Sequence, residues 1–274
     1  MTTTFSEAEF TYISDMVRTR SAIVLEPGKE YLVEARLAPI VRSVGQPDIA
    51  GLVGLLRRGD ERLGEAVVEA LTTNETSWFR DATPFDAFAE HLLPELAATS
   101  RHITIWSAAC SSGQEPYSLA MLLLDWLAAH PGSAAQIIGT DINQKMVDRA
   151  RTGRYSQLEI NRGLRAPYLV KYFAQQGREW VLCKEVRDLC RFERANLALP
   201  PVGIPMCDIV FLRNVLIYFD LETKRAVLQH VRQVLRPVGY LVLGGAESGL
   251  SHDNAFARIE LGRGVVFKHT GGVA

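Results

Sequence analysis

Residues 102–130 have the sequence HITIWSAACSSGQEPYSLAMLLLDWLAAH, and this stretch decides the fold class. Its beginning, HITIW, is apolar and β-branched as in a buried strand, and LAMLLLDWLAAH has the apolar spacing of a helix. The loop between them, SAACSSGQEPYS, is polar, poor in glycine and carries Glu115 and Pro116. A strand, a loop and a helix in this order predict one unit of an α/β sheet.

The same order recurs along the rest of the chain. The strand-like segments QIIGTD and MCDIVFL are each followed by a helical pattern, and GYLVLGG adds a further strand. The segment ARIELGRGVVFKHT, with Gly262 and Gly264 at its centre, predicts a hairpin. The alternation predicts a doubly wound, mostly parallel sheet that ends in an antiparallel hairpin, which is the usual outline of nucleoside-binding methyltransferase folds.

Segments with different patterns predict the domain organisation. Residues 1–72 have apolar residues three and four apart and no strand-like alternation, so they predict a small all-α domain. Residues 73–84 are expected to form a linker, and residues 85–274 the α/β domain. Within that domain, the stretch from Tyr155 to Leu197 is less regular, and its segment EWVLCKEV predicts one or two strands inserted between sheet elements.

The segment TTNETSWFRD, residues 72–81, has an unusual composition for a linker. Asn, Thr and Ser dominate its first part, but Trp78 and Phe79 follow, and large aromatic side chains have a strong tendency to be buried. We therefore expect this segment to pack over the ligand crevice of the sheet, with an ordered strap between domains as the alternative.

The composition argues against several classes of function. The 30 basic and 31 acidic residues give a net charge of -1, so no overall field attracts nucleic acid or an anionic membrane. The apolar stretches are shorter than the roughly 20 residues that span a bilayer, and the N-terminus does not resemble a secretion signal, so we expect a cytoplasmic protein without membrane insertion. The cysteines lack CxxC spacing and a nearby histidine, so we expect free thiols, no disulfide and no metal site. These cysteines are Cys110, Cys183, Cys190 and Cys207.

Ligands of α/β sheets bind at the carboxyl ends of the strands, and acidic residues follow two of the predicted strands. Glu115, in the first turn of its helix, would repel a pyrophosphate and suits a cationic group; the alternative is a helix-capping acid. Asp141 in GTDIN can accept hydrogen bonds from the two hydroxyls of a ribose; the alternative is an N-cap for the helix near Gln144. Met146, a turn later, is a candidate for contact with a flat base or for the core.

The segment FLRNVLIYFD, residues 211–220, places polar residues at the end of a third strand. Arg213 and Asn214 follow the strand directly. Tyr218 comes four residues after Asn214, so a helical turn would put both on one face, toward the crevice. A packed aromatic with a satisfied hydroxyl is the alternative for Tyr218.

Together, these motifs resemble those of one protein family. TNETSWFRD, SAACSSGQEPYSLAM, GTDIN, ANL at 195–197 and FLRNVLIYFD occur in the order typical of the CheR family of bacterial chemotaxis receptor methyltransferases. The resemblance covers nearly the whole chain. It implies a class I methyltransferase domain that uses S-adenosylmethionine (SAM), with a helical N-terminal domain and an inserted β-subdomain at about 165–195.

The resemblance also implies an activity and a partner. The family transfers the methyl group of SAM to glutamate side chains on the cytoplasmic helical bundle of chemoreceptors, which gives γ-methyl esters and S-adenosylhomocysteine. Because a glutamate carboxylate with a pKa near 4.3 is already ionised at pH 7, no general base is required. We expect a monomer that needs SAM and no metal.

The resemblance assigns site residues by motif. Arg80 and Tyr218 match the positions nearest the transferred methyl group and are the predicted catalytic residues. The predicted cofactor-binding residues, including Met146 from the base-contact interpretation, are Asn74, Thr76, Arg80, Glu115, Asp141, Met146, Asn196, Leu197, Arg213 and Asn214.

Two features depart from the family pattern. The insert AQQGREWVLCKEVRDLCR, residues 174–191, lacks the glycine-rich turn of members that dock on a receptor's C-terminal pentapeptide, so we expect a pentapeptide-independent enzyme. Residues 1–72 carry 8 basic and 11 acidic side chains, so a basic receptor-binding face can only be local. Its candidate residues, for which a plain solvated surface is the alternative, are Arg36, Arg42, Arg57 and Arg58.

Three other functions are alternatives. A Rossmann dehydrogenase would require a GxGxxG loop, and AACSSGQ does not supply one. A methyltransferase-like module that binds the cofactor as a sensor or scaffold, and a carboxyl methyltransferase for a different protein, share all the motifs above.

Overall fold

The computed structural model describes residues 6–247 and 254–271, which form two compact units. The first unit contains the residues up to Thr73 together with Tyr218–Ala226, and the second contains Asn74–Ile217 and the chain from Val227 onward. Within the described ranges, no helix combines the length and the hydropathy needed to span a bilayer.

The first unit is helical. Its helices are α1 (Glu7–Ser21), α2 (Glu30–Ser43), α3 (Ile49–Leu56) and α4 (Glu61–Leu71). Side chains three and four residues apart form its interior, as the sequence periodicity predicts, and Ile13, Val17 and Leu37 are fully buried. Ser6 and Glu9 form a capping box at the start of α1.

The second unit contains a seven-stranded sheet in the order β6-β2-β1-β7-β8-β10-β9. The first five strands in this order are parallel, and β10 pairs antiparallel with both β8 and β9, so the predicted doubly wound sheet with a terminal hairpin is confirmed. The strands are β1 (His102–Ala108), β2 (Ala134–Asp141), β6 (Cys190–Arg194), β7 (Cys207–Leu212), β8 (Leu235–Leu243), β9 (Phe256–Leu261) and β10 (Gly264–His269).

Helices and turns connect these strands. They are α5 (Thr83–Ala87), a π-helical turn (Phe88–Leu92), α6 (Leu93–Thr99), α7 (Gln114–Ala129), α8 (Gln144–Thr152), α9 (Gln157–Ile160), α10 (Ala166–Tyr172), α11 (Lys184–Asp188), a 3-10 turn (Leu216–Tyr218) and α12 (Leu221–Val234).

A second, three-stranded sheet has the order β3-β5-β4, formed by Arg154–Ser156, Glu179–Leu182 and Phe173–Gln176. It begins before the expected insert at 165–195, at Arg154 in β3, whereas β4 and β5 lie within that range. The end of that expected range, Cys190–Arg194, is instead strand β6, which pairs in parallel with β2 at the edge of the large sheet. β6 was missed in the sequence because an edge strand with three charged side chains lacks the apolar signature of the central strands.

Trp78 and Phe79 are buried, as the sequence predicts. The Trp78 ring contacts Tyr155 and Phe173 edge-on, with centroids 4.8 and 5.3 Å apart, and the backbone N–H of Trp78 donates to the Arg162 carbonyl at 3.0 Å. The segment that carries these rings is thus fixed to the second unit by its aromatic side chains.

Candidate active site

Three loops meet at the carboxyl edge of the large sheet because the strands before them are in register. Ala108 pairs with Thr140 on one side and with Leu212 on the other, so β1, β2 and β7 end at the same level. The loop after β1 then turns over the end of β2, and the Cys110 N–H donates to the Thr140 carbonyl at 2.9 Å. This edge is where an open α/β sheet binds ligands.

Gly113 determines how the loop after β1 enters helix α7. It is the N-cap residue and has a φ of 92°, a conformation that other residues rarely adopt. A Cβ at this position would lie 2.9 Å from the Ala150 Cβ and 3.2 Å from the Tyr155 hydroxyl. The Tyr155 hydroxyl donates to the Ser112 carbonyl at 2.8 Å, so the loop is packed tightly against the small sheet.

Glu115 and Arg213 form a buried ion pair between this loop and the end of β7. Arg213 Nη1 lies 2.9 Å from Glu115 Oε2, and the Ser107 hydroxyl donates to Glu115 Oε1 at 2.8 Å. The Arg213 side chain is 1% exposed and that of Glu115 is 13% exposed. Both carboxylate oxygens of Glu115 thus interact with side chains, those of Arg213 and Ser107, so Glu115 does more than the helix cap of the alternative interpretation.

Arg213 also holds the segment 74–82. Its Nη2 donates to the Arg80 carbonyl at 2.7 Å and lies 2.9 Å from Asp81 Oδ2. Two carboxylates thus face one guanidinium, and the group as a whole carries excess negative charge. The Arg213 Nε–H is buried and has no acceptor among the residues that the structure describes.

The segment 74–82 lies against the loop after β1 and the first turns of α7. The Ser111 hydroxyl donates to the Asn74 carbonyl at 2.8 Å, and the Phe79 N–H donates to the Ser118 hydroxyl at 3.1 Å. Thr76 is half-buried. Arg80 Nη1 donates to the Glu75 carbonyl at 3.1 Å, which leaves its guanidinium four further N–H groups.

Asp141 ends β2 and is held by backbone amides. Its Oδ2 accepts from the Ser111 N–H at 2.8 Å and its Oδ1 from the Asn143 N–H at 2.9 Å. Burial raises the pKa of this carboxyl, and the two N–H donors oppose that effect. The N-cap of α8 is Asn143, whose Oδ1 accepts from the Lys145 N–H at 3.0 Å, so the N-cap alternative for Asp141 is wrong.

Asn196 and Leu197 follow β6, next to Asp141. The Ala195 N–H donates to the Asp141 carbonyl at 3.0 Å, which places the three residues ANL beside the end of β2. Asn196, Leu197, Trp106 and other residues line an open cavity of about 400 Å³. Met146 is half-buried in the first turn of α8, three residues beyond the Asn143 cap.

Strained backbone is concentrated in these loops. The described part of the chain contains eight non-glycine residues with positive φ, and six of them lie in the segment 74–82, in the loop after β1 or after β7. Such conformations cost about 1–3 kcal/mol each and persist only where surrounding contacts enforce them, typically at functional sites. The six are Phe79, Asp81, Ala82, Ala109, Ser111 and Asn214.

The predicted helical turn from Asn214 to Tyr218 is wrong. Asn214 has a φ of 58°, which is left-handed, and the 3-10 turn starts only at Leu216. Tyr218 is grouped with the first unit, where its carbonyl accepts from the Val24 N–H at 2.9 Å. The reason is that the backbone N–H groups of residues 214–216 donate to the carboxylate of Glu247, so no helical turn forms at Asn214.

Two family models match this chain. "CheR methyltransferase, SAM binding domain" matches residues 74–265, and "CheR methyltransferase, all-alpha domain" matches residues 8–72. The chain belongs to the CheR methyltransferase family. The two matches meet between residues 72 and 74, close to the division between the helical unit and the unit that carries the sheet.

Relatives of this CheR methyltransferase match it over most of its length. The chemotaxis protein methyltransferase of Vibrio anguillarum is 40% identical over 269 residues, which cover 97% of this chain and 98% of the relative. That of Escherichia coli (strain K12) is 34% identical over 250 residues, 89% of this chain and 85% of the relative. This CheR protein is therefore a SAM-dependent methyltransferase.

A solved structure also resembles the chain. The magnesium protoporphyrin IX methyltransferase of Synechocystis PCC 6803 with bound SAM has a TM-score of 0.38 and 16% identity, and the match covers 78% of this CheR chain and 94% of that chain.

The cysteine of the loop after β1 is a packing residue in this CheR protein. Cys110 is buried, and burial raises the pKa of its thiol well above the usual range. A thiol that stays protonated is a poor nucleophile. Sequence reasoning did not assign a role to Ser111 or Asp81, although both bind predicted site residues; small hydroxyls and an Arg-Asp pair in loops are weak signals on their own.

Proposed function

We propose that this CheR protein transfers the methyl group of SAM to glutamate side chains in the cytoplasmic domains of chemoreceptors. The observation that carries the proposal is the pair of carboxylates at one sheet edge. Glu115 follows β1 and Asp141 ends β2, and β1 and β2 are in register at this edge. Two carboxylates suit a ligand with a cationic end and a ribose.

The amino-acid end of SAM fits the Glu115 half of the site. The excess negative charge of Glu115, Asp81 and Arg213 suits an ammonium. These residues would thus bind the amino-acid end, with the segment 74–82 covering it.

The nucleoside end fits the Asp141 half. Both oxygens of Asp141 are oriented by backbone N–H groups and keep lone pairs that can accept from ribose hydroxyls. Asn196, Leu197 and Met146 are proposed to contact the base. The alternative of a core methionine remains compatible with the half-buried position of Met146.

When bound, SAM supplies an electrophilic methyl group beside a positive sulfonium, and both reacting charges disappear as the methyl group moves to a carboxylate. Strong stabilisation of either charge by the protein would lower the ground state and slow the reaction. Arg80 and Tyr218 are therefore proposed to orient the receptor carboxylate and exclude water. Alignment of this kind contributes on the order of 7 kcal/mol or more to lowering a barrier.

The helical unit is proposed to contact the receptor through a local basic patch. Arg36 is not available for it, because its guanidinium donates to the Leu71 and Thr72 carbonyls at 2.8 and 3.2 Å at the end of α4. Arg57 lies over the Tyr12 ring at 5.1 Å from its centroid. Arg42 and Arg58 are exposed, so they are the preferred candidates.

Docking is proposed to be independent of a receptor pentapeptide. The hairpin between β4 and β5 turns through only Gly177 and Arg178, since Gln176 pairs with Glu179. A receptor with its C-terminal five residues removed should be methylated at the rate of the intact receptor. A large loss of rate on truncation would contradict this part of the proposal.

We expect the enzyme to act as a cytoplasmic monomer.

Transfer of label tests the activity. The protein is incubated with methyl-labelled SAM and candidate receptor cytoplasmic domains, and the labelled receptor is treated with mild base. Label released by base is expected, because carboxyl methyl esters hydrolyse readily. Label that resists base, or no label with any receptor while SAM binds, would contradict the proposal; the latter would favour a sensor or scaffold.

A further inference from the structure

Glu247 is a fully buried carboxylate outside the predicted site, with 0% of its surface exposed. Its two oxygens accept four backbone hydrogen bonds. Oε2 accepts from the Asn214 and Gly244 N–H groups at 2.6 and 2.9 Å, and Oε1 accepts from the Val215 and Leu216 N–H groups at 2.8 and 2.7 Å.

The strand register explains why Glu247 reaches this loop. Leu212 at the end of β7 pairs with Leu243 at the end of β8, so the chain leaves both strands at the same edge. A turn closed by the Glu247 N–H and the Gly244 carbonyl, at 2.9 Å, then brings the Glu247 side chain back to the residues after β7. One carboxylate thereby connects two neighbouring strand ends.

Backbone dipoles compensate the charge of Glu247. Among the described residues, no lysine or arginine forms an ion pair with it. Three successive N–H groups, at residues 214–216, converge on the carboxylate, which is the arrangement by which loops bind anions. Hydrogen bonds to a charged acceptor are stronger than those between neutral groups, so this carboxylate constrains the loop firmly.

The space around Asn214 is also restricted. Asn214 has a φ of 58°, and a Cβ added at Gly244 would lie 2.6 Å from Glu247 Oε2 and 3.0 Å from both the Asn214 backbone nitrogen and its Nδ2. Position 244 thus requires glycine for the close approach of the carboxylate to the loop.

We propose that Glu247 is a positioning residue, which sets the conformation of the loop 214–216 and so the affinity for the cofactor. The inference rests on the proposed function, since it takes Asn214 as a cofactor contact. Glu247 has no catalytic part in it, because its oxygens are occupied by the backbone and it is fully buried. It acts on the ligand only through Asn214 and its neighbours.

Glu247→Gln is the direct test. The amide places an NH2 group against backbone N–H donors, so one of the two acceptor oxygens is lost and with it two of the four hydrogen bonds. By calorimetry with S-adenosylhomocysteine, Kd should rise roughly tenfold or more. In steady-state assays, KM for SAM should rise by a larger factor than kcat falls, whereas a general loss of folded protein would lower kcat alone.

Asp208→Asn is the matched control. Asp208 is another buried carboxylate, and it accepts from the Thr104 N–H at 2.8 Å, but it lies near the opposite end of β7. The substitution Asp208→Asn should change Kd for S-adenosylhomocysteine by less than about twofold, even if it lowers the thermal stability of the protein. An equal change of Kd in both variants would overturn the positioning role.

Two further variants keep the inference open to refutation. Gly244→Ala displaces the carboxylate from Asn214 with one added methyl group and should also raise Kd, so it replaces Glu247→Gln if the latter does not fold. Asn214→Gly keeps the left-handed backbone while removing the side chain. In that background Glu247→Gln should raise Kd by a smaller factor than in the wild type, because the two act on one contact.

The outcomes separate the inference from the proposed function. If the wild type binds S-adenosylhomocysteine and Asn214→Gly weakens binding, but folded Glu247→Gln or Gly244→Ala binds normally, the positioning role is wrong and the proposed site stands. If Asn214→Gly binds as tightly as the wild type, Asn214 is no cofactor contact, and the inference falls together with that assignment.

Discussion

The two halves of the sheet edge hold their carboxylates by different means. On the β1 and β7 side, Glu115 is bound by the charged side chain of Arg213, which also holds the segment 74–82 through Arg80 and Asp81. On the β2 and β6 side, Asp141 is bound by two backbone N–H groups and no ion pair is described for it. The first carboxylate is part of the structural framework, and we propose that the second mainly serves to bind the ligand.

Because of this difference, we expect substitutions on the two sides to have different effects on the stability of the fold and on cofactor binding. Removing a partner from a buried ion pair leaves an uncompensated charge, so changes on the first side should damage the fold and the site together. Burial raises the pKa of Asp141, so its charge opposes folding, and its loss should affect binding more than stability.

Arg213→Ala should have the largest effect. It leaves Glu115 and Asp81 without their cation, and the expected loss is about 3 kcal/mol in the free energy of unfolding, with cofactor binding abolished. Thermal or denaturant unfolding and calorimetry measure the two quantities. Arg258→Ala is the control, because the Arg258 pair with Glu260 is exposed and should contribute less than about 1 kcal/mol. Equal, small losses for both variants would contradict the framework role.

Asp141→Asn should affect binding and leave stability nearly unchanged. The amide leaves one of the two backbone N–H donors without an acceptor, but it also relieves the burial of a charge. Because these two effects oppose each other, the free energy of unfolding should change by about 1 kcal/mol or less. Affinity for S-adenosylhomocysteine should fall roughly tenfold to a hundredfold, because bonds from ribose hydroxyls to a charged acceptor are lost. The exposed acid Asp148 on α8 provides the control Asp148→Asn. A strongly destabilised Asp141→Asn with normal affinity would reverse the comparison.

The pH dependence of cofactor binding tests whether the ionised carboxylate of Asp141 binds the ligand. Because burial raises the pKa of Asp141, its carboxylate takes up a proton at a higher pH than an ordinary aspartate, and the protonated form accepts poorly from ribose hydroxyls. Affinity for S-adenosylhomocysteine should fall on acidification while the protein stays folded. A raised pKa means that the folded state binds this proton more readily than the unfolded chain, so this titration favours folding as the pH falls. This fall in affinity on acidification should be absent in Asp141→Asn. If Asp141→Asn shows the same pH dependence, a group other than Asp141 is responsible for it.

Tyr218→Phe should have the smallest effect, since Tyr218 belongs to neither half. Loss of one neutral hydrogen bond should lower kcat roughly tenfold or less and leave the affinity for S-adenosylhomocysteine unchanged. Single-turnover assays with a labelled receptor domain and calorimetry measure the two. An equal loss of cofactor affinity in Tyr218→Phe and Asp141→Asn would contradict the division of roles.

The sheet and the order of the site motifs were predictable because local patterns determine them. Buried parallel strands are apolar runs, and ligand-binding residues follow them, so Glu115, Asp141 and Arg213 could be located from the sequence. β6 was missed because it is a short edge strand with charged side chains, so the expected insert was extended over it, to residue 195. The start of the expected insert, at 165, left out the three-residue strand β3.

Other features depend on contacts that a single sequence does not reveal. The ion pair between Glu115 and Arg213 joins residues 98 positions apart, and Glu247 bonds to residues 31–33 positions before it. The left-handed Asn214 replaced the predicted helical turn because backbone donors bind Glu247. The rule that acids follow strand ends, applied to GGAES after the last parallel strand, would have identified Glu247.

A crystal structure of the protein with S-adenosylhomocysteine tests the central claim most directly. The amino group of the ligand should lie within hydrogen-bond distance of Glu115, and both ribose hydroxyls should donate to Asp141, with residues 74–82 covering the amino-acid end. A ligand bound in the opposite direction, or bound without contact to either carboxylate, would contradict the account.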